Sequence, residues 1–132
     1  MIDMKWDENF AVGHERVDQE HKVFLDLINN LSVAEKNDMP KERVLRLLEE
    51  ISRYANFHLY SEENLMIDSD YPDYEAHKKD HELLLATLIE QIHNYQIGTS
   101  GLDELVEFIF HWFATHTTEM DNKLTEHINA NH

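Results

Sequence analysis

KERVLRLLEEISRYANFHLYSEENLM, residues 41–66, decides the fold. Within it Val44, Leu47, Leu48, Ile51, Ala55, His58, Glu62 and Leu65 each have another of the series three or four residues away, the repeat of one stripe along an α-helix. No glycine or proline interrupts the stretch, and a helix with one apolar stripe buries it against other helices. Toward the C-terminal end of that stripe an imidazole and a carboxylate, His58 and Glu62, stand where apolar side chains are expected.

Working outward, Phe24, Leu27, Ile28 and Leu31 carry the same spacing upstream, after an irregular N-terminal arm from Met1 to about Val17. The spacing predicts a helix over 18–37, ended by Asn37, Asp38 and Pro40, and the quoted stretch forms the second over 41–66. Downstream, Asp68 to Asp73 is dense in turn formers and contains Pro72. Tyr74, His77, His81, Leu84, Leu88, Ile92 and Tyr95 then mark a third helix over 74–97, and Gly98 to Gly101 stop it. Leu102, Leu105, Ile109, Phe113 and His116 mark a fourth over 102–116, followed by a short terminal helix over 118–129. The expected fold is all-α: an up-down-up-down four-helix bundle behind an irregular N-terminal arm, forming a single domain over 1–132.

Composition narrows the chemistry. A chain of 132 residues can bury one sufficient core, and the absence of cysteine excludes disulfides, iron–sulfur clusters and thiolate metal sites. A formal charge of -16 repels phosphate backbones and anionic lipid, so neither nucleic acid nor a membrane surface is an expected partner. Met1 to Phe10 lacks the pattern of a signal peptide, and no stretch approaches the roughly 20 apolar residues that span a bilayer; a cytoplasmic location is expected. Ten histidines in so short a chain call for a cause, and they are dispersed rather than a contiguous tag.

Several of them lie on the buried stripes. His21 shares the face of Phe24 and Ile28, His58 and Glu62 are four apart, His77 and His81 are four apart, and His116 follows Phe113 by three. Each unsatisfied polar group buried in a bundle core costs roughly 2 to 7 kcal/mol, and a charge costs more. Metal ions relieve that cost, and imidazole with carboxylate suits iron, zinc, manganese or copper. Any one such pair is a weak signal; inward clusters on successive helices are a strong one. The zinc-protease pattern is missing, because the residue after His77 is Lys78 and not glutamate, and the paired Glu-x-x-His elements of carboxylate-rich di-iron oxidases are missing too.

The segments Asp18-Gln19-Glu20-His21, His58-Leu59-Tyr60-Ser61-Glu62-Glu63, His77-Lys78-Lys79-Asp80-His81 and His116 through Asp121 resemble those of hemerythrin, in particular its bacterial single-domain form, and Trp6, Phe10, Val12 and Gly13 look like the start of that family's domain. Myohemerythrin is itself a standard example of the four-helix bundle. The resemblance implies two iron ions joined by an oxo or hydroxo bridge, with His77, His81 and His116 on one, His21 and His58 on the other, and Glu62 and Asp121 bridging. Two six-coordinate ions need about twelve donor positions and this set supplies about eleven, which leaves one position, on the ion with two histidines, for dioxygen. The resemblance implies that Trp112 and Phe113 line the pocket. Phe113 stands where many relatives carry leucine, so the bulkier ring narrows it.

Asp121 lies about 140° round an uninterrupted helix from His116 at roughly 100° per residue, so it reaches the site only if the helix breaks near Thr117 and Thr118; otherwise it forms a capping box with Thr118. His14, His93, His111, His127 and His132 are expected at the surface, Glu63 exposed, Tyr54, Tyr60 and Tyr95 packed at the core edge, and Asp103, Glu104 and Glu107 on a solvated face. The function implied is reversible dioxygen binding for storage, delivery or sensing by a monomer that is not an enzyme, with a protein partner receiving the oxygen. The alternatives are a redox enzyme acting on peroxide, nitric oxide or ferrous iron at the same centre, and a structural zinc bundle.

Overall fold

The computed structural model describes residues 13–116 and 121–130, and among them all regular structure is helical. α1 spans Glu15–Lys36, α2 Lys41–Asp68, α3 Tyr74–Gln96, α4 Leu102–Thr115 and α5 Asn122–Ala130. The expected N-terminal arm lies largely outside the described residues. α1 packs on α2, α2 on α3, α3 on α4 and α4 back on α1, so the four longer helices close a ring. The connections 37–40, 69–73 and 97–101 are too short to return along a helix, which makes consecutive helices antiparallel.

Helix ends follow from local hydrogen bonding. α1 begins at Glu15, earlier than the apolar spacing predicts, because the His14 Nδ1 accepts the Val17 N–H at 3.3 Å and caps the first turn. At the other end Asp38 takes a left-handed φ of 49°, the Asp38 N–H bonds to the Glu35 carbonyl and the Met39 N–H to the Ala34 carbonyl. This pair of backward bonds is the Schellman closure, which satisfies carbonyls the helix leaves free. The same closure recurs at Asp70 with Tyr71, and at Gly98 with Thr99. At two of the three stops an aspartate occupies the left-handed position that glycine most often fills.

The core is in two parts. The larger is built on Phe24, Ile28, Leu31, Leu48, Ile51 and Ile109 and their neighbours, and the smaller on Met66, Tyr71, Leu124 and Ile128. Along α2, Ala55 and Leu59 belong to the first part and Met66 to the second, while the buried His58 stands at the edge of the first and Glu62 lies between the two. A polar layer therefore separates two apolar ones. Replacing the fully buried Leu48 by alanine is expected to lower the unfolding free energy by about 2–5 kcal/mol in urea titrations, the range for emptying a packed leucine site. Val33→Ala, at a side chain 51% exposed, should stay within about 0.5 kcal/mol of the parent.

Candidate metal centre

The polar layer is assembled by one or two side chains from each helix. α1 supplies His21, α2 supplies His58 and Glu62, α3 supplies His77 and His81, the end of α4 supplies His116, and Asp121 precedes α5. None of the seven is more than 5% exposed. On α2 and α3 the four-residue spacing places both members of each pair on one inward face.

His116 and Asp121 both have the wider π-helical conformation, whose hydrogen bonds join residues five apart. Asp121 Oδ1 lies 3.1 Å from His116 Nε2, so the two side chains meet inside the bundle although five residues separate them in the chain. A carboxylate buried in this way does not serve as a solvent-side cap, and Thr118, its partner in that alternative, falls outside the described residues.

The distances divide the imidazoles into two groups. Glu62 Oε2 is 2.9 Å from His58 Nε2 and 3.8 Å from His21 Nε2, whereas Glu62 Oε1 is 3.2 Å from both His81 Nε2 and His116 Nε2. Asp121 repeats the division. Its Oδ2 is 2.7 Å from His21 Nε2 and 3.9 Å from His58 Nε2, and its Oδ1 faces His116. Each carboxylate therefore turns one oxygen to the His21–His58 group and the other to the group containing His116. His77 stands behind the second group, its ring 4.5 Å from that of His81 and 6.3 Å from that of His116.

Close as these atoms are, the four carboxylate oxygens and the Nε2 atoms of His77, His81 and His116 make no hydrogen bond of proper alignment among the described residues. Their lone pairs converge on shared space instead of on protons. Leaving two carboxylates and several imidazoles buried in that state would be costly. The nitrogen and oxygen donors, free of thiolate, match the preferences of iron, zinc or manganese. His21, His58, Glu62 and Asp121 form one tight group of potential ligand atoms, and Glu62, His81 and His116 a second. The residues present fit a pair of cations that share Glu62.

The charges inside the layer hold one another. Burial pushes Glu62 up, but the imidazoles of His116 and His58 outweigh it and keep the carboxyl well below its ordinary range. Burial pushes His58 down, yet Glu62, Asp121 and Glu20 raise it well above the ordinary value; His21 and His81 are raised against burial by Asp121 with Glu62, and by Glu62 with Glu63. His77 goes the other way, lowered to about 4 by burial and by the neighbouring His81.

Around this layer lie residues whose part the sequence reading did not assign. Glu20 is buried, accepts from His58 Nδ1 at 2.8 Å, from Ser61 Oγ at 2.8 Å and from Arg16 Nε at 3.1 Å, and its backbone carbonyl accepts the Tyr54 hydroxyl at 2.9 Å. The signal was present: Glu20 follows Val17 by three and precedes Phe24 by four, so it belongs to the inward stripe. Tyr54 packs at the core edge and also ties α2 to α1 through that bond. Glu63 is not exposed as expected; its side chain is 18% exposed and its Oε2 lies 3.1 Å from His81 Nδ1. The rotation of 100° away from Glu62 turns it toward α3, not toward water.

Trp112 stacks on His116 with ring centroids 5.6 Å apart, and Phe113 sets its edge geometry against His21 at 5.7 Å while stacking on Phe24. Tyr60, 65% exposed, is not a core-edge residue. Nor are all the remaining histidines at the surface. His14 caps α1, and the His127 Nε2–H donates to the Ser69 carbonyl at 2.8 Å beside the Tyr71 ring. His93 and His111 are exposed, and His132 lies outside the described residues.

The family model for the hemerythrin HHE cation-binding domain matches residues 12–128. The chain belongs to the hemerythrin family. Among relatives of this hemerythrin, the bacteriohemerythrin of Stenotrophomonas maltophilia is 28% identical over 95% of this chain and 81% of its own. That of Pseudomonas aeruginosa is 31% identical over 92% and 78%, and the myohemerythrin of Theromyzon tessulatum 28% over 90% and 88%. Among the described residues no helix is long and apolar enough to cross a membrane.

The shifts predict how the metal-free hemerythrin responds to pH. His21, His58 and His81 are raised above the ordinary 6.5, so the stability they contribute is full below that value and is lost as pH rises through their folded values. Glu62 is depressed, so its contribution is present above 4.5 and is lost only as pH falls through its low folded value. Melting temperatures of the metal-free chain should fall from about pH 6 to about pH 9, and those of the metal-loaded chain, in which cations replace the protons, should change much less. Parallel falls in both would contradict this account of the layer.

Proposed function

We propose that this hemerythrin is a single domain that binds dioxygen reversibly at a non-haem di-iron centre. In this reading His21 and His58 hold one iron, His77, His81 and His116 hold the other, and Glu62 and Asp121 bridge them. The observation that carries it is the division of both carboxylates, one oxygen toward the His21–His58 group and one toward the group with His116. A bridging carboxylate needs that geometry, and a lone zinc site does not.

When bound, a ferrous pair supplies the electrons on which dioxygen binding depends. The chain does the rest. Glu20 holds the His58 ring through Nδ1, so that Nε2 faces the interior and the tautomer is fixed. Phe24, Phe113 and Trp112 form an aromatic wall over His21 and His116 that keeps water from that side. The group with two imidazoles has the fewer protein donors and lies under Phe113, which makes it the half with room for a small diatomic ligand.

Optical spectra of iron-loaded, reduced protein should gain a visible charge-transfer band with oxygen and lose it when oxygen is removed, over repeated cycles. His58→Ala should abolish the band. Irreversible conversion to an oxidised spectrum would instead favour a redox enzyme, and absence of any oxygen-dependent absorption a structural metal bundle. Phe113→Leu, which shortens the side chain facing His21, is expected to quicken entry of azide into the oxidised centre in stopped-flow mixing, with little change in iron content. Unchanged azide kinetics would remove Phe113 from the access route.

A further inference from the structure

One carboxylate beside the centre has a geometry that the di-iron reading does not require. Glu63 follows Glu62 in α2 and crosses to α3, where the His81 Nδ1–H donates to its Oε2 at 3.1 Å. On the opposite side of the same ring, His81 Nε2 faces Glu62 Oε1 at 3.2 Å. The imidazole therefore lies between two adjacent residues of the neighbouring helix, hydrogen-bonded by one at Nδ1 and faced by the other at Nε2. A carboxylate that accepts at Nδ1 leaves the Nε2 lone pair free for a cation and fixes the plane of the ring.

The same device occurs one helix earlier. Glu20 adjoins His21 in α1 and accepts from His58 Nδ1 in α2; Glu63 adjoins Glu62 in α2 and accepts from His81 Nδ1 in α3. In each case the residue next to an inward ligand on one helix clasps a ligand on the next. The two clasps differ in their surroundings. Glu20 also accepts from Ser61 and Arg16. Glu63 lines a crevice of about 170 Å³ between α2 and α3, with Asn56, Tyr60 and Glu82 at its sides, and among the described residues its hydrogen bond is to His81.

We propose that Glu63 is a positioning residue for the metal centre: its carboxylate fixes the orientation and tautomer of His81 from the crevice side and so sets how firmly the three-histidine half holds its cation. The proposal rests on the di-iron reading of the site. It assigns a task to a carboxylate that is neither a ligand nor a bridge, and it distinguishes Glu63 from Glu82, which lines the same crevice and, among the described residues, makes no hydrogen bond to an imidazole of the layer.

The test uses the full chain loaded with zinc, a diamagnetic probe, and carrying ¹⁵N-labelled histidine. In the parent, the His81 Nδ1 proton should be visible in long-range ¹H–¹⁵N spectra and exchange slowly with water. In Glu63→Ala that proton should exchange rapidly, and release of zinc to a chromophoric chelator should quicken by about 10- to 100-fold, the usual cost of losing an outer partner of a ligand. Glu63→Gln, whose side-chain carbonyl still accepts from Nδ1–H, should release zinc within a few fold of the parent, and Glu82→Gln should be indistinguishable from it.

A Glu63→Ala chain of parental helical content that releases zinc at the parental rate, with the His81 proton still protected, would overturn the proposal. So would a Glu63→Gln chain as impaired as Glu63→Ala, because negative charge and not orientation would then be the operative property. If Glu63→Ala does not fold, the parent decides: a His81 Nδ1 proton exchanging as fast as that of the exposed His93 refutes the clasp. Failure of the parent to bind two metal ions per chain would instead refute the di-iron reading itself.

Discussion

Two carboxylates with no exposure to water, Glu62 and Asp121, sit among five imidazoles in the middle of a helical bundle. Everything else in the structure is arranged around the cost of that placement. In an apolar interior an isolated carboxylate is strongly disfavoured, and here positive charge must come either from protons on His21, His58 and His81 or from metal ions. The ring nitrogens and carboxylate oxygens are close enough to exchange protons yet aligned for a shared centre, so the layer is preformed for cations and only makeshift as a set of ion pairs. The bundle contributes rigidity on both sides, with the Phe24–Leu48–Ile109 core below and the Met66–Leu124 core beyond.

Outer partners complete the preorganisation unevenly. His58 is fixed by a buried Glu20 that is itself held by Ser61 and Arg16, and His81 by a Glu63 that borders a crevice. Aromatic rings cover the side of His21 and His116. Phe113 thus faces His21 and Trp112 faces His116, while His81 is held from the α2–α3 boundary.

Much of this was legible in the chain. The stripes of α2 and α3 could be read because helical spacing forces residues four apart onto one face, and the same rule exposed His58 with Glu62 and His77 with His81 as misplaced polar pairs. The stops at Asp38 and Asp70 were legible as turn-rich segments, though the Schellman closure that makes them sharp was not. Where reading failed, it failed on direction. Glu63 was placed in water because 100° of rotation leaves the stripe, but in a ring of helices that direction can also meet a neighbour. Asp121 falls off the stripe when an α-helical period is carried on from His116, yet both residues have the wider π-helical conformation and their side chains meet inside the bundle.

By itself the sequence determined that the chain is helical, which face of each helix turns inward, and that the polar groups on those faces need compensation; periodicity and desolvation are properties of a single helix and need no partner to evaluate. The tertiary structure alone decided which imidazole faces which oxygen, how both carboxylates divide between two groups, and which acidic residues become clasps. Those depend on the rotation and height of each helix relative to its neighbours, to within the length of a hydrogen bond, and no local pattern in one helix encodes the position of another.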